Sequence, residues 1–548
     1  MKLLHFIVRE GNAPIKYIII AAVLSELADI LLLATVNHAA DQVVGGAIQV
    51  RMFVMYLLVF ALFVVTQHYS LVHSVAAAES ALHRVKLRIA DKVRRRDLRF
   101  IEKSGGIGTY TPLAKEVALI SQGATILVEG AKSGLMLLFA MIYLGLLSPL
   151  TLLLTLIILV VAIPLAIFHY QKTVTDLEAA SKRESQVFER FTGILEGFKE
   201  LKLNRNENDS LFAELSSIAQ RASHLKLVAN ERQIRDLLIA NGITYLILFS
   251  AVFIVPSLVP EYSSTVLKVS AMLLFALGAL SSMANSIPFI ARVNSSIANL
   301  HHLETSLDED LYAEDSHIGK QLQSFKEINI QSLHFNYTDQ HGDSLFQVGP
   351  IDLTLHQGEL LFIVGGNGSG KSTLLKLLTG LYRPNRGQII LNGKKISSDA
   401  DYPAFRSLFT SVFTDFALFE HIYGIPNLDS NEVNRHIDDL GLAEKTNYTS
   451  SGFTNIDLST GQRKRLALIT SMLKARPICI FDELAADQDP VFRRRFYEVI
   501  LPDLQAAGRT IVVVSHDDQY FHTADRILRV RDGRLETLEA DSNGQLTW

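Results

Sequence analysis

Long apolar stretches alternate with charged stretches over the first half of the chain, and six of the apolar stretches are long enough to cross a membrane. A membrane-spanning helix needs roughly 20 apolar residues to cross ~30 Å of hydrocarbon. The predicted spans lie at approximately 15–36, 52–75, 124–147, 151–170, 237–259 and 265–290. This pattern predicts a membrane α-helical bundle for the first half of the chain.

The first apolar stretch has the length and position of the hydrophobic part of a signal peptide. However, Arg9, Glu10 and Lys16 precede it. Glu26 and Asp29 also interrupt its apolar core. A signal peptide has a short basic start and an uninterrupted apolar core, so we expect a membrane helix that stays in the protein.

The distribution of lysine and arginine predicts the orientation of the spans. These residues are frequent at 83–99 and 172–205, after the second and fourth spans, and absent from 37–50, 148–150 and 260–264. Positive residues stay in the cytoplasm, so both long connections and both termini are expected on the cytoplasmic side of a bacterial inner membrane. The basic run at 83–99 fits a solvated helix face or a contact with membrane lipid headgroups.

The two long connections show helical periodicity, and each predicts a helix that leaves the membrane, a turn and a returning helix. A helix of ~25 residues extends ~37 Å at 1.5 Å per residue. Glycines and a proline predict the first turn at 103–112, and the second is predicted at 198–209. The bundle should therefore carry long cytoplasmic helical extensions.

From about residue 326 the pattern changes to alternating strands and helices, which predicts an α/β domain. A polar, acidic stretch precedes it. The expected division is a six-helix transmembrane domain at 1–299, a linker at 300–323 and an α/β domain at 324–548.

The composition agrees with a membrane protein. Hydrophobic residues make up 49% of the chain and charged residues 20%, and the mean hydropathy is +0.23. The net charge of −4 predicts no nucleic-acid partner. The single cysteine, Cys479, has no internal disulfide partner and lies in an apolar run, where it is expected to be a small buried residue.

An apolar strand, a glycine-rich loop and a leucine-rich helix follow one another at 360–380, with GGNGSGKST at 365–373. This order matches a phosphate loop, in which backbone N–H groups and a helix N-terminus bind phosphates. Lys371 is expected on the outer phosphates of ATP, and the Ser372 hydroxyl on Mg²⁺. The loop residues expected at the nucleotide are Gly365, Gly366, Asn367, Gly368, Ser369, Gly370, Lys371, Ser372 and Thr373.

Two more apolar strands end in residues that can act on a nucleotide. Asp482 ends the run at 477–482, where it can hold Mg²⁺, and Glu483 follows it, where it can polarise the attacking water. His516 follows the run at 510–514. Because α/β sheets bind ligands at the carboxyl ends of their strands, Glu483 and His516 are predicted to act with Lys371 in catalysis.

Together with LSTGQ at 458–462, these motifs resemble the ATPase of ABC transporters in their order and spacing. The resemblance implies that Tyr337 stacks on adenine and that LSTGQ contacts the ATP held by a second ATPase domain. Thr460 stands where the family has a glycine. Backbone N–H groups at the start of the following helix can bind a γ-phosphate. The signature residues expected at ATP are Ser459, Thr460, Gly461 and Gln462.

Two stretches depart from that family's pattern. Thr414, in SVFTDFALF, stands where the family has a glutamine, and it would reach Mg²⁺ or water only through a bridging water. The loop after Glu483 reads ADQD, where the family has S-A-L-D, although Asp489 keeps the last aspartate. The cytoplasmic turns near 106–110 and 198–204 are predicted to contact the ATPase close to Thr414, because a transmission route must touch both domains.

The fusion of six spans to one ATPase resembles a half-size exporter. VFTDFALF, LSTGQRKRLAL, ADQDP, RRRFYEVILP and SHDDQYF are similar to a group that exports cyclic peptides, lipopeptides, microcins and pyoverdine-type siderophore precursors. The resemblance implies a homodimer with two shared ATP sites, which uses ATP and Mg²⁺ to export a peptide-like compound by alternating access.

Two other functions fit the same sequence: a lipid or multidrug exporter, and a membrane-anchored regulatory ATPase that transports nothing. Charges inside the spans discriminate between transport and the regulatory ATPase, whereas the sequence alone does not separate a peptide exporter from a lipid or drug exporter. Glu26 and Asp29 lie one helical turn apart, and we predict that they face a polar cavity and attract cationic parts of a substrate. Lys132 and Lys268 fit such a cavity, an internal ion pair or a position at a helix end.

Overall fold

The computed structural model describes residues 2–10, 15–44, 50–103, 110–259, 262, 265–308, 322, 324–338, 344–398 and 400–537. The chain divides into two compact units. The helical unit comprises Met1–Val93 and Ile107–Glu309, and the α/β unit comprises Arg94–Gly106 and Asp310–Trp548.

Helices of 4 to 48 residues form the described part of the helical unit. Those described are α1 (Lys2–Glu10), α2 (Ile15–Val44), α3 (Val50–Arg94), α5 (Tyr110–Leu147), α6 (Pro149–Glu196), α7 (Phe198–Leu203), α8 (Arg205–Phe249), α9 (Val255–Leu258) and α10 (Val266–Ser306). A π-helical turn joins α8 to α9. Helix α3 and helix α8 each contain 45 residues, far more than the ~20 needed to cross a membrane. This confirms the predicted helical extensions.

Within the described residues, five helices are long and apolar enough to cross a membrane, with mean hydropathies of 1.7 to 2.2. The fourth predicted span begins α6. There the described apolar stretch, Pro149–Ala162, is shorter than the others. Ser148 caps this helix by accepting a hydrogen bond from the backbone N–H of Thr151.

The second predicted turn, 198–209, is confirmed as a break between long helices, but the break lies at Gly197–Asn204 and residues 205–209 are helical. Helix α6 ends before Gly197, the short helix α7 follows, and Asn204 caps the start of α8. The central part of the first predicted turn, 104–109, lies outside the described residues. The predicted linker begins within α10, because that helix continues to Ser306.

A buried ion pair lies between two predicted spans of the helical unit. The Lys132 ammonium is 3.2 Å from a Glu26 carboxylate oxygen, and neither side chain is more than 8% exposed. Lys132 also donates to Gln67, whose amide oxygen accepts from Ser25 as well. These contacts join α2, α3 and α5, so Lys132 forms an internal pair. Glu26 therefore lies in the interior, whereas Asp29 is half-buried.

The α/β unit contains α4 (Leu98–Lys103) and the whole strand-containing part of the chain. Its strands are β1 (Glu327–Thr338), β2 (Ser344–His356), β3 (Leu360–Val364), β4 (Arg386–Leu391), β5 (Lys394–Ile396), β6 (Phe409–Val412), β7 (Tyr448–Thr449), β8 (Gly452–Phe453), β9 (Ile478–Asp482), β10 (Thr510–Val514), β11 (Arg526–Arg531) and β12 (Arg534–Thr537). Its other described α-helices are α11 (Lys371–Leu378), α12 (Asp401–Arg406), α13 (Ser430–Asp439), α14 (Thr460–Leu473), α15 (Pro490–Arg495) and α16 (Leu501–Ala506).

The strands of the α/β unit form two main sheets, which confirms the predicted α/β fold. One sheet has the order β2-β1-β4-β5 and the other β12-β11-β3-β10-β9-β6. In the second sheet, β3, β10 and β9 are adjacent, parallel and fully buried. Their carboxyl ends therefore lie at one edge, which brings the phosphate loop, Glu483 and His516 together.

Candidate functional site

The phosphate loop connects β3 to α11 at the carboxyl edge of the buried sheet. Gly365 has a φ of +154°, and a Cβ there would lie 2.3 Å from the Val530 carbonyl oxygen, so a side chain cannot fit. The Lys371 ammonium donates to the carbonyl oxygens of Gly365 (2.8 Å) and Gly366 (3.0 Å). The loop thus places a lysine ammonium beside backbone that can receive a phosphate.

The charge environment of Lys371 suits an anionic ligand. Burial lowers the pKa of its ammonium, and the carboxylates of Glu483 and Asp482 partly oppose this shift. A bound phosphate would, like the two carboxylates, raise the pKa of Lys371, because an opposite charge favours the protonated form.

Asp482 ends β9 and is only 3% exposed. Burial raises the pKa of its carboxyl group, and a hydrogen bond from Thr414 opposes the rise. The Thr414 hydroxyl oxygen lies 2.9 Å from the carboxylate that accepts this bond. The structure therefore gives Thr414 a direct contact with Asp482, which the sequence did not predict.

The residues at this edge fit Mg²⁺ held with a nucleotide. Mg²⁺ prefers oxygen ligands and is usually bound by one or two carboxylates together with substrate phosphates. Asp482 supplies a carboxylate, and the exposed Ser372 supplies a hydroxyl. The Ser369 hydroxyl oxygen is buried and forms no hydrogen bond with the described residues. Within the described ranges no three His, Cys, Asp or Glu side chains cluster to bind a metal by themselves.

Glu483 and His516 lie together beside the phosphate loop. The His516 Nε2 is 3.4 Å from a Glu483 carboxylate oxygen, and the two side chains are 52% and 30% exposed. Glu483 has a φ of +52°, and its N–H donates to the Val514 carbonyl oxygen at 3.0 Å. A solvent-facing carboxylate beside an imidazole can orient water and accept its proton.

The signature stretch opens helix α14. Ser459 is the N-cap, and it exchanges hydrogen bonds with Gln462 in a capping box. Thr460 is the first helical residue, is exposed and has no positive φ. The glycine that the family has at this position is therefore not required by the backbone, and the exposed N-terminus of α14 is open to an anion.

Tyr337 lies in β1 beside the helix that follows the phosphate loop. Its hydroxyl is 3.2 Å from the Thr373 hydroxyl and 3.4 Å from the Tyr382 hydroxyl. Sequence reasoning missed Tyr382 and its partner Glu102, which lies in α4 and accepts hydrogen bonds from both Tyr382 and Lys376. Burial and the Glu102 carboxylate raise the pKa of Tyr382, so its phenol stays protonated.

Helix α4 contacts strand β1 within the α/β unit. Besides Glu102, Arg99 of α4 reaches the Asn336 carbonyl and the Thr338 hydroxyl. These contacts lie beside Tyr337 and do not test the predicted contact of 106–110 near Thr414, because 104–109 lie outside the described residues. The predicted contact of 198–204 stays a prediction, as does the role of Asp29 in substrate binding.

The sequence matches a family model and resembles known proteins that bind ATP. A family model described as ABC transporter matches residues 348–486. The chain is 32% identical over 479 residues to the ATP-binding protein SyrD of Pseudomonas syringae pv. syringae, which covers 83% of this chain and 82% of SyrD. It is also 29% identical over 211 residues to a probable syringafactin export ATP-binding/permease protein, SyfD, of Pseudomonas syringae pv. tomato, over 35% of this chain and 31% of SyfD.

A solved structure titled as a bacterial Atm1-family ABC exporter with ATP bound shares the fold. Its TM-score is 0.75 at 18% identity, over 96% of this chain and 95% of that chain. The five described apolar helices and the ABC transporter match at 348–486 show an integral membrane protein with a cytoplasmic ATPase domain that binds and hydrolyses ATP. The similarity to SyrD over 82% of its length shows that the chain belongs to the ABC transporters, as an exporter-type half-transporter that couples ATP hydrolysis to transport.

Proposed function

We propose that two copies of this chain form a homodimer in the bacterial inner membrane and export a peptide-type compound by alternating access. The compound class comprises cyclic peptides, lipopeptides, microcins and siderophore precursors. Both termini lie in the cytoplasm, as the distribution of lysine and arginine predicts.

The proposal of a homodimer rests on the exposure of the catalytic and signature residues in a single chain. In a single chain, His516 is 52% exposed, and the signature residues Ser459 and Thr460 are exposed as well. Exclusion of bulk water strengthens the electrostatic interactions that stabilise a phosphoryl-transfer transition state. A second copy that places its signature helix over this edge would cover both sets of residues at once.

Each residue has a proposed task in this shared site. Lys371 neutralises the outer phosphates, and Glu483 orients the attacking water and accepts its proton. His516 holds the Glu483 carboxylate. Ser372 and Asp482 would hold Mg²⁺, which supplies charge neutralisation on the phosphates. The partner's signature residues would bind the γ-phosphate through helix N–H groups.

The relatives support the peptide class. SyfD is named for syringafactin export. A lipid A-core flippase of Chromohalobacter salexigens is 29% identical over 230 residues, or 38% of the flippase, and a lipid substrate is the alternative that this favours. A regulatory ATPase is disfavoured, because the similarity to an exporter fold covers 96% of the chain.

Transport decides between these classes. Inverted membrane vesicles that contain the wild-type chain should accumulate a peptide-type compound with ATP, and vesicles with Glu483→Gln should not. The same vesicles are offered labelled lipid and unrelated drugs. Deletion of the gene, followed by mass spectrometry of secreted peptides and siderophores, identifies the compound. Uptake of lipid alone would replace the peptide proposal, and no uptake of any compound would refute export by this chain.

A mixed dimer tests the shared site. One chain carries Lys371→Ala and the other Ser459→Arg, so a shared arrangement leaves one intact site. That site uses the Lys371 of the Ser459→Arg chain. Vanadate trapping should therefore place labelled nucleotide on the Ser459→Arg chain and none on its partner. A purified mixed dimer without label, beside a normally labelled wild type, would contradict the homodimeric site.

A further inference from the structure

The first turns of helix α14 contact the loop that follows Glu483 through the buried side chain of Lys464. This lysine has no role in the reaction proposed above. The side chain of Lys464 is 3% exposed. Its ammonium donates to the Glu483 carbonyl oxygen at 2.8 Å and lies 2.6 Å from the Asp487 carboxylate. Lysine is almost never fully buried unless it is paired, so these partners account for its position.

The peptide that Lys464 contacts has an unusual conformation. Glu483 has a φ of +52°, a left-handed conformation that is strained for a residue other than glycine. The Glu483 N–H donates to Val514 on the neighbouring strand, and its carbonyl accepts from Lys464. Both backbone polar groups of Glu483 are therefore held, and with them the direction in which its side chain leaves the backbone.

Adjacent residues reinforce the same contact. Arg465 donates to the Gln488 side chain at 2.8 Å and pairs with Asp489. Gln488 in turn donates to the Gly461 carbonyl oxygen at 2.8 Å. A Cβ on Gly461 would lie 2.7 Å from the Asp487 carbonyl oxygen, so glycine permits this close approach. ADQD departs from the family's S-A-L-D at Ala486, Asp487 and Gln488, and two of these three residues, Asp487 and Gln488, bind α14.

We propose that Lys464 is a positioning residue for ATP hydrolysis, which holds the left-handed peptide of Glu483 and transmits movement of the signature helix to the Glu483 carboxylate. In the homodimer the signature helix contacts the ATP of the other chain. The link would therefore make the hydrolytic geometry of one site depend on occupation of the other. This second part rests on the proposed homodimer.

The substitution Lys464→Met removes the charge and the donor while keeping most of the volume. We expect kcat for ATP to fall about 10-fold or more, since a displacement of ~1 Å can cost ~100-fold. KM for ATP and nucleotide affinity should change by less than about 2-fold, because the phosphate loop is untouched. Lys464→Arg keeps a charged donor and should restore most of the rate. Lys445→Met, at an exposed lysine of the same unit, is the matched control.

A double-mutant cycle with Glu483→Gln separates positioning from general damage. If Lys464 acts through the Glu483 carboxylate, Lys464→Met should lower the residual hydrolysis of Glu483→Gln by less than about 2-fold. An equal loss in both backgrounds, an unchanged kcat, or a parallel loss of nucleotide affinity would overturn the proposal.

If Lys464→Met does not fold, Asp487→Asn replaces it, because the Asp487 side chain is 52% exposed. This change removes only the carboxylate partner, and we expect kcat to fall about 3-fold at an unchanged KM, as for a partly exposed ion pair. An unchanged kcat would then overturn the proposal. The two experiments can fail separately. If the mixed dimer is not labelled but the double-mutant cycle is non-additive, the homodimer proposal is wrong and the positioning role of Lys464 still holds.

Discussion

The two units of this protein each contain a buried lysine that is paired with a carboxylate, but the two pairs differ in the exposure of the acid. In the helical unit, Lys132 and Glu26 are 3.2 Å apart, and both side chains are almost completely buried. In the α/β unit, Lys464 is equally buried, but its partner Asp487 is 52% exposed.

This difference separates a stabilising pair from a positioning pair. If Lys132 is removed, Glu26 stays in the interior with no ion-pair partner, which costs the folded state several kcal/mol. If Lys464 is removed, water can solvate Asp487, and the main loss is the hydrogen bond to Glu483. We therefore expect the first pair to determine whether the helical unit folds, and the second to determine how fast the folded protein hydrolyses ATP.

The largest effect should come from the reacting carboxylate that Lys464 positions. Glu483→Gln should lower hydrolysis by about 100- to 10,000-fold, because the amide cannot accept the proton of the attacking water. ATP affinity and the melting temperature should stay near those of the wild type. Steady-state hydrolysis, equilibrium nucleotide binding and thermal unfolding measure the three quantities. Hydrolysis at a near-normal rate would remove Glu483 from the reaction.

The next effect concerns the buried pair of the helical unit. Lys132→Met should destabilise the folded protein by about 3–5 kcal/mol, since it leaves a buried carboxylate uncompensated. Lys132→Met combined with Glu26→Leu should recover most of this loss. The apparent melting temperature in detergent measures both changes.

A surface ion pair of equal length is the control for that prediction. Lys226 and Glu184 are also 3.2 Å apart, but their side chains are 57% and 43% exposed. Lys226→Met should therefore cost at most about 1 kcal/mol. If Lys132→Met and Lys226→Met shifted the melting temperature equally, burial would not be what distinguishes the two pairs.

A smaller effect is expected at the acid that lies next to the buried pair. Asp29 is half-buried, whereas Glu26 is buried in an ion pair with Lys132, so Asp29 is the acid that we propose for contact with a cationic group of a substrate. Asp29→Asn should raise the substrate concentration for half-maximal ATPase stimulation about 5-fold, or about 1 kcal/mol, as for a partly exposed charge pair. An unchanged dose response for every stimulating compound would leave Asp29 without a role in binding.

The smallest effect should come from the contact between α4 and the site. Glu102→Gln weakens the hydrogen bond from Tyr382 and the ion pair with Lys376, whose N–O distance is 2.7 Å. Because the Glu102 side chain is 35% exposed, we expect a loss of about 0.5–1 kcal/mol. Thermal unfolding of Glu102→Gln, Tyr382→Phe and the double variant should give non-additive losses. Additive losses would show that the two residues act independently.

The sequence alone predicted the features that depend on residues close together in the chain. Apolar stretches of ~20 residues indicate membrane helices whatever their neighbours are. The phosphate loop and the strands that end at Asp482 and His516 are likewise contiguous patterns. Their convergence was predictable, because parallel strands of an α/β sheet present their carboxyl ends at one edge.

Only the tertiary structure decided which distant side chains meet. Thr414 and Asp482 are separated by 68 residues, and Glu102 and Lys376 by 274. A charge in the sequence shows that a partner is needed but not which one, because contacts across helices and sheets depend on packing and register. For this reason the sequence predicted that Glu26 faces a polar cavity and left three alternatives open for Lys132. The tertiary structure shows that the two residues form one buried ion pair.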